Sequence, residues 1–375
     1  MLNRLWYKVD WTLMIPVMIL IVIGVIMIFS TSSIVGFSNY NDSYFFIKRH
    51  FIFLVIAFGA FFVGLVTPYT LYKKYFKSIA VCAIILLVLT LTPLGVEIAG
   101  AQRWLNLGVL RFQPAELAKF VVILFIALGL TRKQAILNHF FKGCVPLCIG
   151  TVVIATLLIL QPDLGNVALI LLVVFCLFFL SKIPLRHIIL LGVIALIGVG
   201  LVIMSHPYQM QRVTSFLDPW ADPLGKNYHT IQSFMAIGSG GITGVGLGES
   251  KLKYFYLPLQ YSDFIFSIIC EEGGFLLAMI VIVLYMAIMI KTYQIVKKTT
   301  DIFAFNVGMG AGLFICLQAF INIAVVIGLL PVTGIPLTFI SFGGTSLITS
   351  LFYIGVILNI SNSVMLKEYK VTLDE

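Results

Sequence analysis

The stretch SHPYQMQRVTSFLDPWADPLGKNYHTIQSFMAIGSGGITGVGLGESKLKYFYLPLQYSD, residues 205–263, is the one long polar excursion in a chain that otherwise reads as lipid-embedded helix. Of the 375 residues, 61% are hydrophobic and only 10% charged, and the mean hydropathy is +1.09. Soluble domains carry about 25% charged residues, so this is an integral membrane protein. A chain that is nearly all span needs no elaborate loop to stay folded. The loop therefore draws attention as a place for chemistry at the membrane surface.

Working outward from the loop, ten apolar runs approach the roughly 20 residues a span requires. They cover residues 11–34, 51–71, 78–94, 114–130, 141–160, 164–180, 187–204, 264–290, 303–330 and 345–363. The first is too long for a signal-peptide core and lacks a small-residue cleavage site, so it reads as a retained helix. The expected fold is an all-α polytopic bundle of about ten transmembrane helices. It forms one membrane domain over residues 1–375, with the loop 205–263 inside it.

Lys and Arg set the orientation. Arg4, Lys8, Lys73, Lys74, Lys77, Arg132, Lys133, Lys142, Lys182, Arg186, Lys291, Lys297, Lys298, Lys367 and Lys370 fall on one side. Fewer fall opposite: Lys48, Arg49, Arg103 and Arg111 in short loops, with Arg212, Lys226, Lys251 and Lys253 in the long one. The bias places both termini in the cytoplasm and the long loop outside. The net charge of +9 follows mostly from this topology, and with no compact basic domain a nucleic-acid partner is not expected. The six cysteines lie in or beside the apolar runs without a CxxC or Cys/His cluster, which reads as small buried hydrophobes.

Three outward-facing stretches break the pattern of short connectors: residues 93–113, the long loop, and the uncharged Pro/Gly segment 329–346. Non-helical backbone at membrane depth must be sheltered by protein or water, so the last is either a re-entrant, cavity-lining turn or a tight interfacial loop. Within the long loop, residues 208–216 read as a short interfacial helix and 225–237 as another. The Asp218-Pro219 and Asp222-Pro223 steps punctuate them. Glycines 238, 240, 241, 244, 246 and 248 match neither dinucleotide nor P-loop spacing. They read as a surface-hugging turn that lets backbone approach lipid or a lipid-linked substrate, rather than as a phosphate cradle.

Asp263, where the loop meets the eighth span on the outer face, is the sharpest candidate for chemistry. Its position suits an N-cap, the commonest role for aspartate at a helix start, and the same geometry also leaves a fixed, ionised, water-facing carboxylate such as a general base requires. Glu271 and Glu272 lie about two turns deeper, where acidic groups line a cavity or pair with a neighbouring helix. Glu116 and Lys119, three residues apart, share a helix face and can pair. Asp163, in a very short outer turn, is open to cap and substrate roles. Arg103 and Arg111, in an outer loop, supply guanidinium groups suited to bidentate phosphate contact or to contact with lipid headgroups. Outward-facing carboxylates and cations in a lipid surround fit a lipid-linked phosphate. Diphosphate is a good leaving group that needs charge neutralisation rather than a general acid. One carboxylate then suffices for transfer, where a glycosidase needs two. A transporter is the rival class, and the glycine-rich ninth span (Gly308, Gly310, Gly312) is compatible with it.

The segments GAQRWLNLGVLRFQPAELAK (residues 100–119), LQPDLGN (160–166), RVTSFLDPWADPLGKNYHTIQSFMAIGSGGITGVGLGESKLKYFYLP (212–258), SDFIFSIICEEGGF (262–275) and GLLPVTGIPLTFISFGGTSL (328–347), in this order, resemble the SEDS family of bacterial cell-wall proteins, the FtsW/RodA/SpoVE group. The resemblance covers nearly the whole chain and leans to the division type. It implies a peptidoglycan glycosyltransferase of the bacterial cytoplasmic (inner) membrane that polymerises lipid II on the outer face and releases undecaprenyl diphosphate. It also implies a class B penicillin-binding protein as transpeptidase partner, alongside other divisome or elongasome membrane proteins. The family's essential aspartate falls on Asp263, which favours the base role there. Arg103, Arg111, Glu116, Lys119, Asp163, Arg212, Glu271 and Glu272 stand as candidates to hold lipid II or its diphosphate. No resident metal site is identified; a magnesium or manganese ion is the one cofactor left open. Leu259 stands where the family has glutamate, Tyr261 where histidine is frequent, Ser262 for threonine, Phe342 for tyrosine and Thr345 for serine.

Overall fold

The computed structural model describes residues 9–98, 101–106, 108, 111–225, 227–253 and 260–374, with side chains to Leu366. Leu259 lies outside these residues.

Ten apolar helices occupy the ten expected runs. Eight are long and apolar enough to cross a membrane: α1 (Trp11–Tyr40), α2 (Phe45–Val66), α5 (Pro114–Arg132), α6 (Val145–Leu160, extended at its start by a π turn), α8 (Leu185–Ser205), α11 (Ile265–Val296), α12 (Ile302–Val326) and α13 (Gly344–Asp374). Two are shorter, α4 (Phe76–Thr90) and α7 (Leu164–Phe179). A six-residue helix α3 (Tyr69–Lys74) precedes α4 on the side assigned to the cytoplasm. On the other side the long loop forms α9 (Pro207–Leu217) and α10 (Tyr228–Gly240), close to the two helices read from its sequence.

Two boundaries differ from expectation. The first helix runs on to Tyr40, where Asn41 adopts φ 53 and its amide reaches back to the carbonyls of Gly36 and Phe37, a left-handed stop of the kind asparagine tolerates. The second begins at Phe45, so Lys48 and Arg49 belong to its first turns rather than to a loop. The outer stretch 93–113 adds a small antiparallel sheet, β1 (Gly95–Ile98), β2 (Ala101–Asn106) and β3 (Arg111–Phe112), in the order β1-β2-β3.

α12 is the hub, packed against α5, α7, α11 and α13. Close approach depends on small residues, as in membrane bundles generally. A Cβ on Gly310 would press on Ile123 of α5, and one on Gly312 would press on Thr292 of α11. The glycines of the ninth span thus serve packing. Gly64 and Gly355 meet each other's backbones where α2 crosses α13. By contrast, only 6% of the α8 span is buried, and its principal contacts are with α7 and α9.

α11 is a broken helix. Gly274 has φ 66 and ψ −169 within it, which releases backbone groups from the helical ladder. The glycine-rich loop takes them up. The amides of Val245 and Gly246 donate to the carbonyls of Glu271 and Glu272 at 2.9 and 3.1 Å. The amides of Phe275 and Leu276 donate to Gly241 and Ile242 at 3.0 and 3.2 Å. Unsatisfied groups in lipid would each cost several kcal/mol, so loop and kink require one another. Gly244 (φ 82) must lack a side chain, because a Cβ would overlap the backbone of Glu272.

Residues 329–343 are re-entrant. Ile335 and residues 337–341 are buried without helical structure. The Tyr285 hydroxyl donates to the Thr338 carbonyl, and Thr338 Oγ1 donates to the Ile315 carbonyl at 3.1 Å. Ile315 lies eleven residues before the outer end of α12, a depth of about 16 Å at 1.5 Å per residue. Gly24 of α1 lets the chain pass at Phe339 and Ile340.

Candidate active site

A cavity of about 810 Å³ opens on the side assigned to the exterior, between the sheet, α2, α9, α10, the re-entrant segment and the start of α13. Asp263 is its one carboxylate among the described residues, and its cations are Arg49, Arg103, Arg111 and Arg212. Aromatic side chains, Phe46, Trp104, Phe234 and Phe342 among them, supply most of the apolar wall.

Asp263 is held by its backbone rather than by its side chain. Asn322 of α12 donates through Nδ2 to the carbonyls of both Asp263 and Ile335, each at 2.8 Å. Ser341 Oγ donates to the Ser262 carbonyl at 2.6 Å and accepts from the Leu337 amide at 2.8 Å. The Phe342 amide donates to the Tyr261 carbonyl at 2.9 Å. The re-entrant segment thus splints the three residues that end the long loop. The side chain stays available, and the capping expectation is corrected. α11 begins at Ile265, its N-cap is Phe264, and no side chain caps it. Asp263 stands one residue too early.

The carboxyl of Asp263 is half-buried. Burial pushes its pKa above the ordinary value, while a hydrogen bond from Ser262 and the charges of Arg212 and Arg103 pull it back. Two opposing causes yield a carboxylate that is desolvated, hence more basic, yet next to positive charge that favours ionisation. Gly334 (φ 72) lies between the parts: a Cβ there would sit 3.8 Å from Asp263 Oδ2 and 4.0 Å from Arg103 Nη1.

Four of the nine residues singled out from sequence, Asp263, Arg103, Arg111 and Arg212, line the cavity. The other five are outside its described lining and pair within the protein. Lys119 Nζ donates to Glu116 Oε1 at 2.8 Å and to Gln318 Oε1 at 2.9 Å, and Thr349 Oγ1 donates to Glu116 Oε2 at 2.9 Å. Gln318 Nε2 continues the chain to Ser346 Oγ at 2.8 Å and the Pro336 carbonyl at 3.2 Å. This buried network braces the re-entrant segment from behind. Asp163 caps α7, accepting from Asn166 N and Nδ2 at 3.4 and 2.8 Å, and lies 3.9 Å from Arg103.

Glu271 and Glu272 face the glycine-rich loop. Glu271 accepts from Ser250 Oγ at 2.5 Å and the Lys251 amide at 3.0 Å. Glu272 accepts from Lys253 Nζ at 3.1 Å and from Ser30 Oγ at 2.8 Å. Both are buried and lie outside the described lining of the cavity. Asp263 precedes the first residue of α11, so helical register does not tie the two glutamates to it, and their partners come from α1 and from about twenty residues upstream.

Sequence reading passed over Gln318 and Asn322. Two amides four residues apart in an apolar span are a signal of interhelical contact, and both point at the re-entrant segment. Arg49 reads from sequence only as a topology marker, and His229 carries no sequence signal of its own. His229 lines the cavity and stacks on Phe264 with centroids 6.0 Å apart. Its pKa is lowered by burial, and its Nδ1 is buried without a partner.

No three His, Cys, Asp or Glu side chains converge among the described residues. A divalent cation at the cavity would have Asp263 as its one carboxylate ligand and take the rest from substrate oxygens and water, as magnesium commonly does.

The family model described as cell cycle protein, FtsW/RodA/SpoVE, matches residues 10–365. The chain is similar to stage V sporulation protein E of Bacillus subtilis (strain 168), 38% identical over 354 residues, 94% of this chain and 96% of that one. It is similar to the probable peptidoglycan glycosyltransferase FtsW of Geobacter sp. (strain M18), 36% identical over 353 residues, 94% of this chain and 96% of that one. A chain in a solved structure described as structural coordination of polymerization and crosslinking by a peptidoglycan synthase complex superposes with a TM-score of 0.79 at 28% identity, covering 96% of this chain and 99% of that one. With ten apolar helices and a family match from the first span to the last, the chain belongs to the FtsW/RodA/SpoVE family of multi-pass membrane proteins.

Proposed function

We propose that the chain is a peptidoglycan glycosyltransferase that polymerises lipid II at the outer face of the cytoplasmic membrane during cell division. The observation that carries the reading is the cavity wall: one carboxylate and four guanidinium groups among its described residues. Asp263 takes the proton from the C4 hydroxyl of the acceptor lipid II GlcNAc. The freed oxygen attacks the anomeric carbon of the undecaprenyl diphosphate-linked glycan with inversion. The bond to the diphosphate breaks, and that group departs with its electron pair. Positive charge on the wall stabilises it without a general acid. A bound divalent cation would supply further neutralisation of that diphosphate.

A class B penicillin-binding protein is the partner that crosslinks the product. Support for it comes from the similarity to a chain of a peptidoglycan synthase complex.

The test is a gel of products from purified full-length protein, labelled lipid II and a divalent cation, with and without the cognate transpeptidase. Glycan ladders are the expected result. Movement of the lipid across liposomes without ladders would replace the reading with a transporter. Partner binding with neither activity would leave a scaffold.

A further inference from the structure

The four guanidinium groups on the cavity wall fall into two pairs. Arg103 donates through Nε to the Gln161 carbonyl at 3.3 Å and through Nη2 to the Pro162 carbonyl, and lies 3.9 Å from Asp163. Arg212 donates to the Val332 carbonyl at 3.0 Å and to the Tyr208 hydroxyl at 2.7 Å. Both fasten backbone around Asp263. Arg49 and Arg111 line the same cavity, yet neither guanidinium has a hydrogen bond or ion pair with a described residue.

Arg49 is nonetheless positioned. Its guanidinium lies 4.5 Å over the ring of Phe45, which is stacked on Tyr40 at 3.7 Å and 8°. Stacking holds the group through its face and leaves five N–H donors at its edge for a ligand. Asp42, the acid nearest to Arg49 in sequence, is already paired with Lys48 at 2.7 Å. Arg111 is fixed through its backbone: its carbonyl accepts from Thr345 Oγ1 at 3.2 Å. α13 joins the two sides, because Gly344, next to Thr345, is packed on the ring of Phe53 in α2.

Below Arg49 the wall turns apolar and opens outward. Ile52 lines the cavity and is 49% exposed. Val55, Gly59, Phe62 and Val66 follow at helical spacing, and all are exposed. Every span has a face toward lipid; this one starts at the rim of a polar cavity, one turn beneath an uncommitted guanidinium. A polar headgroup carrying closely spaced negative charges on a long apolar chain matches that order.

We propose that Arg49 and Arg111 form the seat of the diphosphate of the polyprenyl-linked substrate, whose isoprenoid chain leaves over Ile52 along α2. The assignment rests on the glycosyl-transfer reading above. It separates the diphosphate seat from the Arg103–Arg212 pair, whose part is to position the segments around Asp263.

Binding of undecaprenyl diphosphate is measured by native mass spectrometry on full-length protein carrying Asp263→Asn, which stops turnover. Arg49→Gln and Arg111→Gln should each weaken binding about tenfold and together about a hundredfold, as expected for charged hydrogen bonds. Arg49→Lys with Arg111→Lys, which keeps the charge but not the fork, should recover part of the loss. Thermal unfolding of each variant in detergent should match the parent. Undiminished binding in the double Gln variant overturns the assignment alone. So does equal competition by phosphatidylglycerol, which would make this a general anionic-lipid site. A parent protein that binds no undecaprenyl diphosphate overturns the transferase reading with it.

Discussion

Asp263 and the Glu271–Glu272 pair stand within ten residues of one another at the outer end of one helix, and the structure treats them in opposite ways. Asp263 is fixed by its carbonyl, faces a cavity, and draws cations without closing an ion pair with any described residue. Glu271 and Glu272 are buried and bound by serine hydroxyls, a backbone amide and Lys253. An acid whose hydrogen-bonding capacity is filled by protein holds a fold together. An acid held in place through its backbone, with its oxygens facing a cavity, is placed for chemistry. The same contrast separates Arg103 and Arg212 from Arg49 and Arg111.

Five variants can break or sharpen that comparison. The largest stability effect falls on the closed pair. Glu272→Gln should destabilise the protein by about 3–5 kcal/mol, because Lys253 would be left buried and uncompensated; thermal unfolding in detergent reads this. Removing both charges with Glu272→Leu and Lys253→Met should recover much of the loss, since a buried pair replaced by apolar side chains is often neutral. Recovery would show the pair to be structural, whereas a double variant as unstable as the single would give Glu272 another role. Next, Asn322→Leu strands the carbonyls of Asp263 and Ile335, costing about 1–3 kcal/mol. Its polymerisation rate should fall further than its unfolding midpoint implies, since it frees the backbone that aims Asp263.

The smallest effect is a shift in pH dependence. A base works when deprotonated, so activity rises with pH through the pKa of Asp263, which burial has raised. Arg212 lowers that pKa, so Arg212→Gln should move the acid limb of the pH–rate profile to higher pH. Arg212→Lys, which keeps the charge, should leave the limb near its original place. An unmoved limb in both variants would remove Arg212 from the electrostatics of the site.

The spans were legible because a lipid-facing helix must be apolar for about 20 residues, and nothing else in a chain looks like that. The re-entrant segment was half legible. Pro331, Pro336, Gly334 and Gly343 disfavour a helix, but its depth depends on Tyr285 and Ile315, which sequence does not place beside it. The sheet was missed because its strands are two to six residues long, too short for periodicity to register. The candidate site divided by the same logic. Residue type pointed to nine charged positions, but which of them face the cavity depends on partners far away in sequence. Ser30 reaches Glu272 across 242 residues, and Gln318 reaches Lys119 across 199. Arg49 was overlooked for the converse reason: a cation near a span end is explained by topology until its lack of a partner is seen.

The central claim is that the carboxylate at position 263 is the base. Its most direct test is lipid II polymerisation by purified Asp263→Asn protein, with its unfolding midpoint and lipid II binding measured on the same preparation. The account predicts a rate lower by about 10²–10⁴, with midpoint and binding close to those of the parent. Near-normal glycan synthesis by that variant would contradict it.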